Sequence, residues 1–296
     1  MAALLHMNGP IAQFVALTCH ANAFLRGLRI PEFFPGNSTC RFCDWVKFFN
    51  VTRTLLGKAR LVEVAANPDG WFECLKAEDV SEIRLSRTPQ DDPGIPDRMS
   101  AAFVGGGGTW TLKATDRKGQ TAVWLSKWEV WNQDAPERRI WRVSYGRFPE
   151  LRPRSDPFID LDGAVARLRG ALQDIYTFSE RHDCGGFTIS FARALQTLDS
   201  RGSILHGYHH DLAPEGCLPP LAGRMLDACQ TAWVFGGMGS WNDLGFAGSD
   251  RAGYDRVSDR LFTALNEAIY AGANSSCASR TNCPSAASTQ RYSLRE

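Results

Sequence analysis

The chain has 296 residues, of which 44% are hydrophobic and 11% aromatic, so it is long enough to bury a sizeable core. Its 33 basic and 32 acidic residues leave a net charge of +1. This balance excludes a global field that attracts nucleic acid or an anionic membrane; nucleic-acid binding through a local patch is disfavoured but not excluded. The nine cysteines are scattered and several lie in apolar helical patterns, which favours reduced thiols over a disulfide framework.

The first 25 residues contain no Asp, Glu, Lys or Arg. Polar residues interrupt this segment and it lacks a basic start, so we predict neither a secretory signal nor a membrane anchor. We therefore expect a cytoplasmic protein that does not bind a membrane. Asn8-Gly9-Pro10 is typical of a helix start, and Gly27 is expected to end an N-terminal helix that buries one apolar face.

Period-two patterns dominate the segment from about 45 to 147. Residues 45–51, 60–65 and 81–87 are predicted to be strands, and the clearest alternation runs through 109–115, 122–131 and 139–147. The turn residues Asp116 to Gly119 connect the first two members of the last group, which we interpret as a three-stranded antiparallel meander. The sequence thus predicts an antiparallel sheet over about residues 45–147.

From Asp160 the apolar period changes to that of helices, and four stripes follow between 160 and 273. Strands followed by helices favour the α+β class, with the sheet packed against the later helices. We expect one domain over 1–273, with a β-rich part at 45–150 and a helical part at 160–273. Residues 274–296 have no apolar period and are predicted to form a disordered tail.

The segment 232–243 is the least ordinary in the chain, because an apolar helix over 218–234 meets three glycines and a Trp-Asn-Asp turn. We predict that Trp233 packs in the core and that Gly237 permits close backbone approach or positive φ. The other end of the segment is predicted to face solvent and to bind a ligand through three side chains: Trp241, Asn242 and Asp243.

Histidines and aspartates recur through the helical half, and five of them form a candidate metal site: His182, His206, His210, Asp211 and Asp255. Their order resembles the histidine, histidine-aspartate, aspartate pattern of the HD metallophosphohydrolases. The resemblance implies that His182, His210, Asp211 and Asp255 hold a divalent metal that activates water against a phosphoester. The alternative is a polar surface loop whose histidines cluster by chance.

Two cysteine patterns are also candidates for chemistry. Gln13 precedes Cys19 by six residues, a spacing that resembles the oxyanion-hole glutamine and nucleophile of papain-like cysteine proteases. Cys40 and Cys43 form a single C-x2-C that Cys19 and His20 could complete as a zinc site. For both patterns, buried reduced cysteines are the alternative reading.

Arginines are concentrated around the last strand of the meander, with a local excess of about four positive charges: Arg138, Arg139, Arg142, Arg147, Arg152 and Arg154. Arg142 and Arg147 are the candidates for binding a phosphate-bearing ligand. The alternative is a solvated face.

No motif decides whether the chain is an enzyme. The first hypothesis is a binding protein that contacts a protein or small-molecule ligand through Gly- and Trp-rich loops and the arginines. The second is a metal-dependent phosphohydrolase that uses the histidines and aspartates. The third is a thiol hydrolase that uses Cys19.

Overall fold

A computed structural model describes residues 7–53, 59–90, 94–101, 106–149, 151, 160–200 and 207–277. Within these residues one sheet contains six strands: β1 Cys43–Arg53, β2 Ala59–Ala65, β3 Val80–Thr88, β4 Thr109–Asp116, β5 Thr121–Val130 and β6 Trp141–Phe148. The same residues form seven helices: α1 Gly9–Leu25, α2 Pro68–Ala77, α3 Asp97–Ser100, α4 Leu161–Arg181, α5 Gly186–Asp199, α6 Pro220–Ala232 and α7 Gly248–Asn274. The predicted α+β class is confirmed.

The strands lie in the order β2-β1-β6-β5-β4-β3. The predicted meander is confirmed, because β4, β5 and β6 pair antiparallel in succession. The prediction that the whole sheet is antiparallel is wrong, because β1 pairs with β6 in parallel. Alternation identifies a strand but not the direction of its neighbour. The long connection between β1 and β6 permits a parallel pair, whereas the tight turn between β4 and β5 does not.

The inner face of the sheet, which α1 and α2 cover, carries a stack of aromatic rings. Phe48 of β1 lies between Trp71 of α2, at 4.5 Å between ring centroids, and Tyr145 of β6, at 5.1 Å. Phe14 of α1 meets the edge of Tyr145 at 5.5 Å. The parallel register places Phe48 beside Tyr145, so the pairing of β1 with β6 assembles this part of the core.

Helix α1 is buried on all sides and not on one face as the sequence suggested: residues 11–23 are all buried. The lack of charged residues in this segment makes complete burial possible. None of the helices in the described part of the chain, α1 included, has both the length and the apolar character that a membrane crossing requires.

Two asparagines cover the free edge of β3, the last strand of the sheet. The Asn22 side chain donates to the Ile83 carbonyl and accepts from the Ile83 N–H, both at 2.8 Å. Asn274 repeats this pairing at Leu85, at 2.9 and 2.8 Å. The amide groups therefore take the place of a seventh strand, and they satisfy backbone groups that an edge otherwise leaves open.

The predicted tail is in part a packed segment. Ser276 and Cys277 are buried, and the Asn22 side chain donates to Ser276 Oγ at 2.8 Å. The Cys277 thiol donates to the Ile83 carbonyl at 3.4 Å. Residues 274–277 thus extend the contact of α7 with β3, while 278–296 lie outside the described residues.

Candidate functional site

The segment 232–243 is a packing element. Helix α6 ends at Ala232, and Trp233 is buried in the core as predicted. The prediction that Trp241 faces solvent is wrong, because its side chain is fully buried. The Trp241 indole N–H donates to Ser258 Oγ at 2.7 Å, and its ring stacks on Tyr254 at 5.5 Å.

The polar side chains beside Trp241 hold the loop in place. Asn242 donates to the Arg98 carbonyl at 2.9 Å, and the Asp243 carboxylate accepts from the Gly239 N–H. The positive φ expected at Gly237 occurs instead at Gly239, where φ is +81°. A side chain at Gly237 would meet no atom within 4 Å, so the structure gives no steric reason for glycine there.

The described residues of the candidate metal site are not brought together, and each has a different environment. The His182 ring packs on Phe178 at 4.3 Å, and His210 is exposed. Asp255 forms an ion pair with Arg98 at 2.6 Å. His206 lies outside the described residues. No group of three or more His, Cys, Asp or Glu side chains in the described ranges is arranged to hold a metal ion.

Asp211 belongs to a serine–histidine–aspartate contact that the sequence analysis missed. Ser38 Oγ donates to the Asp211 carboxylate, and His209 Nδ1 lies 2.9 Å from the same Oγ. The Ser38 N–H also donates to Asp211, at 2.7 Å. Since the single hydroxyl proton goes to the carboxylate, the histidine ring donates to Ser38 and does not act as its base. Ser38 therefore lies between His209 and Asp211, whereas in a catalytic triad the histidine lies between the serine and the aspartate. The contact fastens the loop after residue 207 to the 3-10 turn Ser38–Cys40.

Gln13 and Cys19 do not form a thiol-hydrolase pair. The Gln13 carboxamide accepts from the Tyr145 hydroxyl at 2.9 Å and donates to the Thr39 carbonyl at 3.2 Å. Cys19 lies in the interior of α1, and a hydrogen bond with the Cys217 thiol, together with burial, raises its pKa. A thiol held in the protonated form inside a helix is not an activated nucleophile.

The C-x2-C pair is arranged around an amide group. Gln13 Nε2 lies 3.7 Å from Cys40 Sγ and 3.8 Å from Cys43 Sγ, and burial raises the pKa of both thiols. His20 is directed elsewhere: its Nδ1 contacts the Ala16 carbonyl at 2.8 Å. All eight cysteines in the described part of the chain are free thiols, as the sequence predicted for them.

His20 is expected to make stability depend on pH. Burial lowers its pKa from 6.5 to about 4. Between these values the unfolded chain binds a proton that the folded chain does not, so stability falls as the pH falls. Lowering the pH from 7 to 5 should cost about 2 kcal/mol through this group. Urea unfolding of the native protein and of His20→Gln at both pH values measures the effect, and equal losses in the two proteins would contradict it.

The two candidate arginines lie on opposite faces of the sheet. Arg147 sits opposite Trp124 in the register and forms two contacts with the Glu78 carboxylate, at 2.8 and 3.0 Å. Arg142 pairs with Asp44 on the outer face. Positions five residues apart on a strand point to opposite sides, so Arg142 and Arg147 do not form one binding surface. Arg152 and Arg154 lie outside the described residues.

Arg142 instead organises an aromatic surface on the outer face, which we call the Trp–Arg surface: Trp45, Trp131 and Arg142. The guanidinium lies 4.3 Å from the centre of the Trp131 ring and 6.0 Å from that of Trp45. Asp44 accepts from Arg142 Nε at 2.9 Å and sets the plane of the cation. Trp131 itself donates to the Arg139 carbonyl at 2.9 Å. The surface is therefore held in one arrangement.

Apolar side chains at the same end of the sheet are exposed. Trp131 is 41% exposed and Val130 45%, and Phe42, just before β1, is 38% exposed. Trp131 shares the outer face with Arg142, whereas Val130 pairs with Trp141 and points to the opposite side of this end of the sheet. Trp131 and the partly exposed Trp45 form an apolar patch on the outer face, and such a patch on a rigid sheet is the kind of feature that marks an interaction surface.

Comparisons with known proteins gave no relative: no family model matches the chain, and no curated protein or solved structure is significantly similar to it.

Proposed function

We propose that the protein works by binding a protein partner through the Trp–Arg surface. The observation that supports this function best is the combination of exposure and order at Trp131, which is 41% exposed yet stacked on Arg142 and hydrogen-bonded through its indole. An ordered aromatic side chain loses little conformational entropy when a partner covers it.

The chemistry of this surface favours a protein over a polyanion. Arg142 and two lysines on the same face of the sheet already have carboxylate partners: Arg142 with Asp44 at 2.9 Å, Lys47 with Glu63 at 2.9 Å, and Lys127 with Glu129 at 2.8 Å. Nucleic acid or a phosphate-bearing ligand needs unneutralised positive charge. Protein interfaces, by contrast, are enriched in tryptophan and arginine, and these two residue types carry much of the binding energy.

The hypotheses of a metal-dependent phosphohydrolase and a thiol hydrolase have less support. The predicted ligands Asp211 and Asp255 are occupied by Ser38 and Arg98, and Cys19 is buried in α1. A small-molecule ligand at Trp241 would need that side chain to be accessible, which its complete burial prevents.

Site-specific photocrosslinking tests the proposal. A photoreactive phenylalanine analogue at Glu129, an exposed residue whose register partner is Arg142, should crosslink a protein partner in an extract of the cells that make the protein. The same analogue at Ile189, which is 55% exposed on α5, should not. Trp131→Ala should lower the yield from position 129 by at least about tenfold, because a central tryptophan typically contributes about 2 kcal/mol or more to an interface.

Thermal unfolding of Trp131→Ala provides the control, since an unchanged melting temperature separates lost binding from lost folding. Crosslinks that are equal from the two positions, or that persist in Trp131→Ala, would overturn the proposal. Loss of the crosslinks on adding a polyanion such as heparin would indicate a nucleic-acid surface instead.

A further inference from the structure

Two cysteines from distant parts of the chain meet where the loop before α6 crosses α1. The Cys217 thiol donates to the Cys19 carbonyl oxygen, and the sulfur lies 3.1 Å from that oxygen. The two residues are 198 positions apart in the sequence. The contact is therefore a product of the tertiary fold and not of local chain geometry.

A guanidinium group lies against one of these two sulfur atoms. Arg26 Nη2 is 3.3 Å from Cys217 Sγ and 3.1 Å from the Cys217 carbonyl oxygen. The Cys217 side of the pair lies close to water, because Arg26, Glu215 and Gly216 are exposed. Cys217 is itself 2% exposed and lies beside these exposed residues, whereas Cys19 is fully buried in α1.

The environment favours ionisation of Cys217 over ionisation of Cys19. The hydrogen bond from Cys19 and the charge of Arg26 lower the pKa of Cys217 in spite of its burial. The same hydrogen bond, together with burial, raises the pKa of Cys19. Thiolate beside a cation, next to a second thiol that keeps its proton, is the arrangement of a reactive cysteine and a resolving cysteine.

We propose that Cys217 is a peroxide-reactive thiol and that Cys19 is its resolving partner. The Cys217 thiolate attacks one oxygen of a hydroperoxide, the O–O bond breaks, and the products are a sulfenic acid and hydroxide or alkoxide. Cys19 sulfur then attacks Cys217 sulfur, the S–S bond forms, and the S–O bond breaks. The hydroxyl group leaves with the Cys19 proton as water. Two thiols are oxidised by two electrons, and one hydroperoxide is reduced.

The other buried thiols provide internal comparisons. Cys229 is fully buried on α6, and burial raises its pKa. Cys184 is partly exposed, but burial and Asp183 raise its pKa. Exposure alone therefore predicts that Cys184 or the partly exposed Cys74 is oxidised first, whereas the contact with Arg26 predicts Cys217.

Peptide mapping after peroxide treatment tests this inference. The reduced full-length protein is treated with hydrogen peroxide, the remaining thiols are alkylated, and the peptides are analysed by mass spectrometry. We expect a Cys19–Cys217 disulfide as the first product. In Cys19→Ser, dimedone should trap a sulfenic acid at Cys217. Arg26→Gln should slow the oxidation about tenfold, because it removes the cation that lies beside the Cys217 sulfur and favours the thiolate. The matched variant Arg29→Gln, three residues further on, should not slow it.

A first product at Cys184 or Cys229, or a disulfide that joins Cys19 to Cys277, would overturn the inference. Equal rates for Arg26→Gln and Arg29→Gln would also overturn it. The pH dependence of alkylation of Cys217 in the unmodified protein gives a test that needs no variant. Its half-maximal rate should occur at lower pH than that of free cysteine, and a midpoint at or above the free-cysteine value would contradict the proposal.

Discussion

Replacing Trp241 by alanine is expected to lower the free energy of unfolding by about 3–5 kcal/mol. The side chain is fully buried, it stacks on Tyr254, and two phenylalanines of α5 meet its ring edge-on at 5.4 and 5.3 Å: Phe187 and Phe191. Truncation leaves a cavity among three aromatic rings and removes the donor to Ser258. Urea unfolding, followed by fluorescence and circular dichroism together, measures the change.

Trp131→Ala serves as the matched control, because it removes the same side chain from an exposed site. Its effect on stability should stay within roughly 1 kcal/mol, since surface substitutions rarely cost more. Trp241→Phe should lie between the two, because it keeps a ring in the core but leaves Ser258 without the indole donor. A Trp241→Ala protein as stable as Trp131→Ala would show that the segment 232–243 is not a packing element.

Replacing Asn22 by leucine is expected to destabilise the fold by roughly 2–6 kcal/mol. The substitution removes three hydrogen bonds of the buried Asn22 side chain. The Ile83 N–H loses its acceptor, and the Ile83 carbonyl and Ser276 Oγ each lose a donor. Each buried polar group that loses its partner costs about 1–3 kcal/mol. Because the uncovered groups belong to an edge strand, the variant should also aggregate faster when it is heated. Unfolding free energies and light scattering measure the two effects.

Asn274→Leu is the graded control, since Asn274 makes the same two bonds at Leu85 in a less buried position. It should lose less stability than Asn22→Leu. Equal stability of Asn22→Leu and the native protein would mean that water replaces the amide at β3. In that case the two asparagines are not needed to protect the edge.

The local patterns that predicted the fold correctly were those whose partners lie close in sequence. The meander β4–β6 follows from alternation and from the turn at 116–119, which leaves the chain only one way to return. The later helices follow from a period that is independent of their neighbours. The parallel pairing of β1 with β6 was missed, because it depends on how residues 54–140 return to β1, and strand periodicity carries no information on that path.

The partners of the candidate site residues could not be predicted where they come from distant parts of the chain. Trp241 follows a glycine-rich turn and looks like an exposed loop residue, but α5 and α7 converge on it. Asp255 is neutralised by Arg98 of α3, which lies 157 positions away. The partners of Arg142, Asp44 and Trp131, come from another strand and from a loop, so its position in the chain does not reveal them.

Composition and short-range periodicity were enough to predict the α+β fold class, the β4–β6 meander, the burial of Trp233 and the reduced state of the described cysteines. The availability of each polar group depends instead on contacts that the fold creates. Ser38 donates to Asp211, Asn22 and Asn274 cover the β3 edge, and Arg26 lies beside Cys217. Hydrogen bonds and ion pairs act within about 3–4 Å, so the reactivity of a side chain depends on residues that the fold, and not the order of the chain, brings near it.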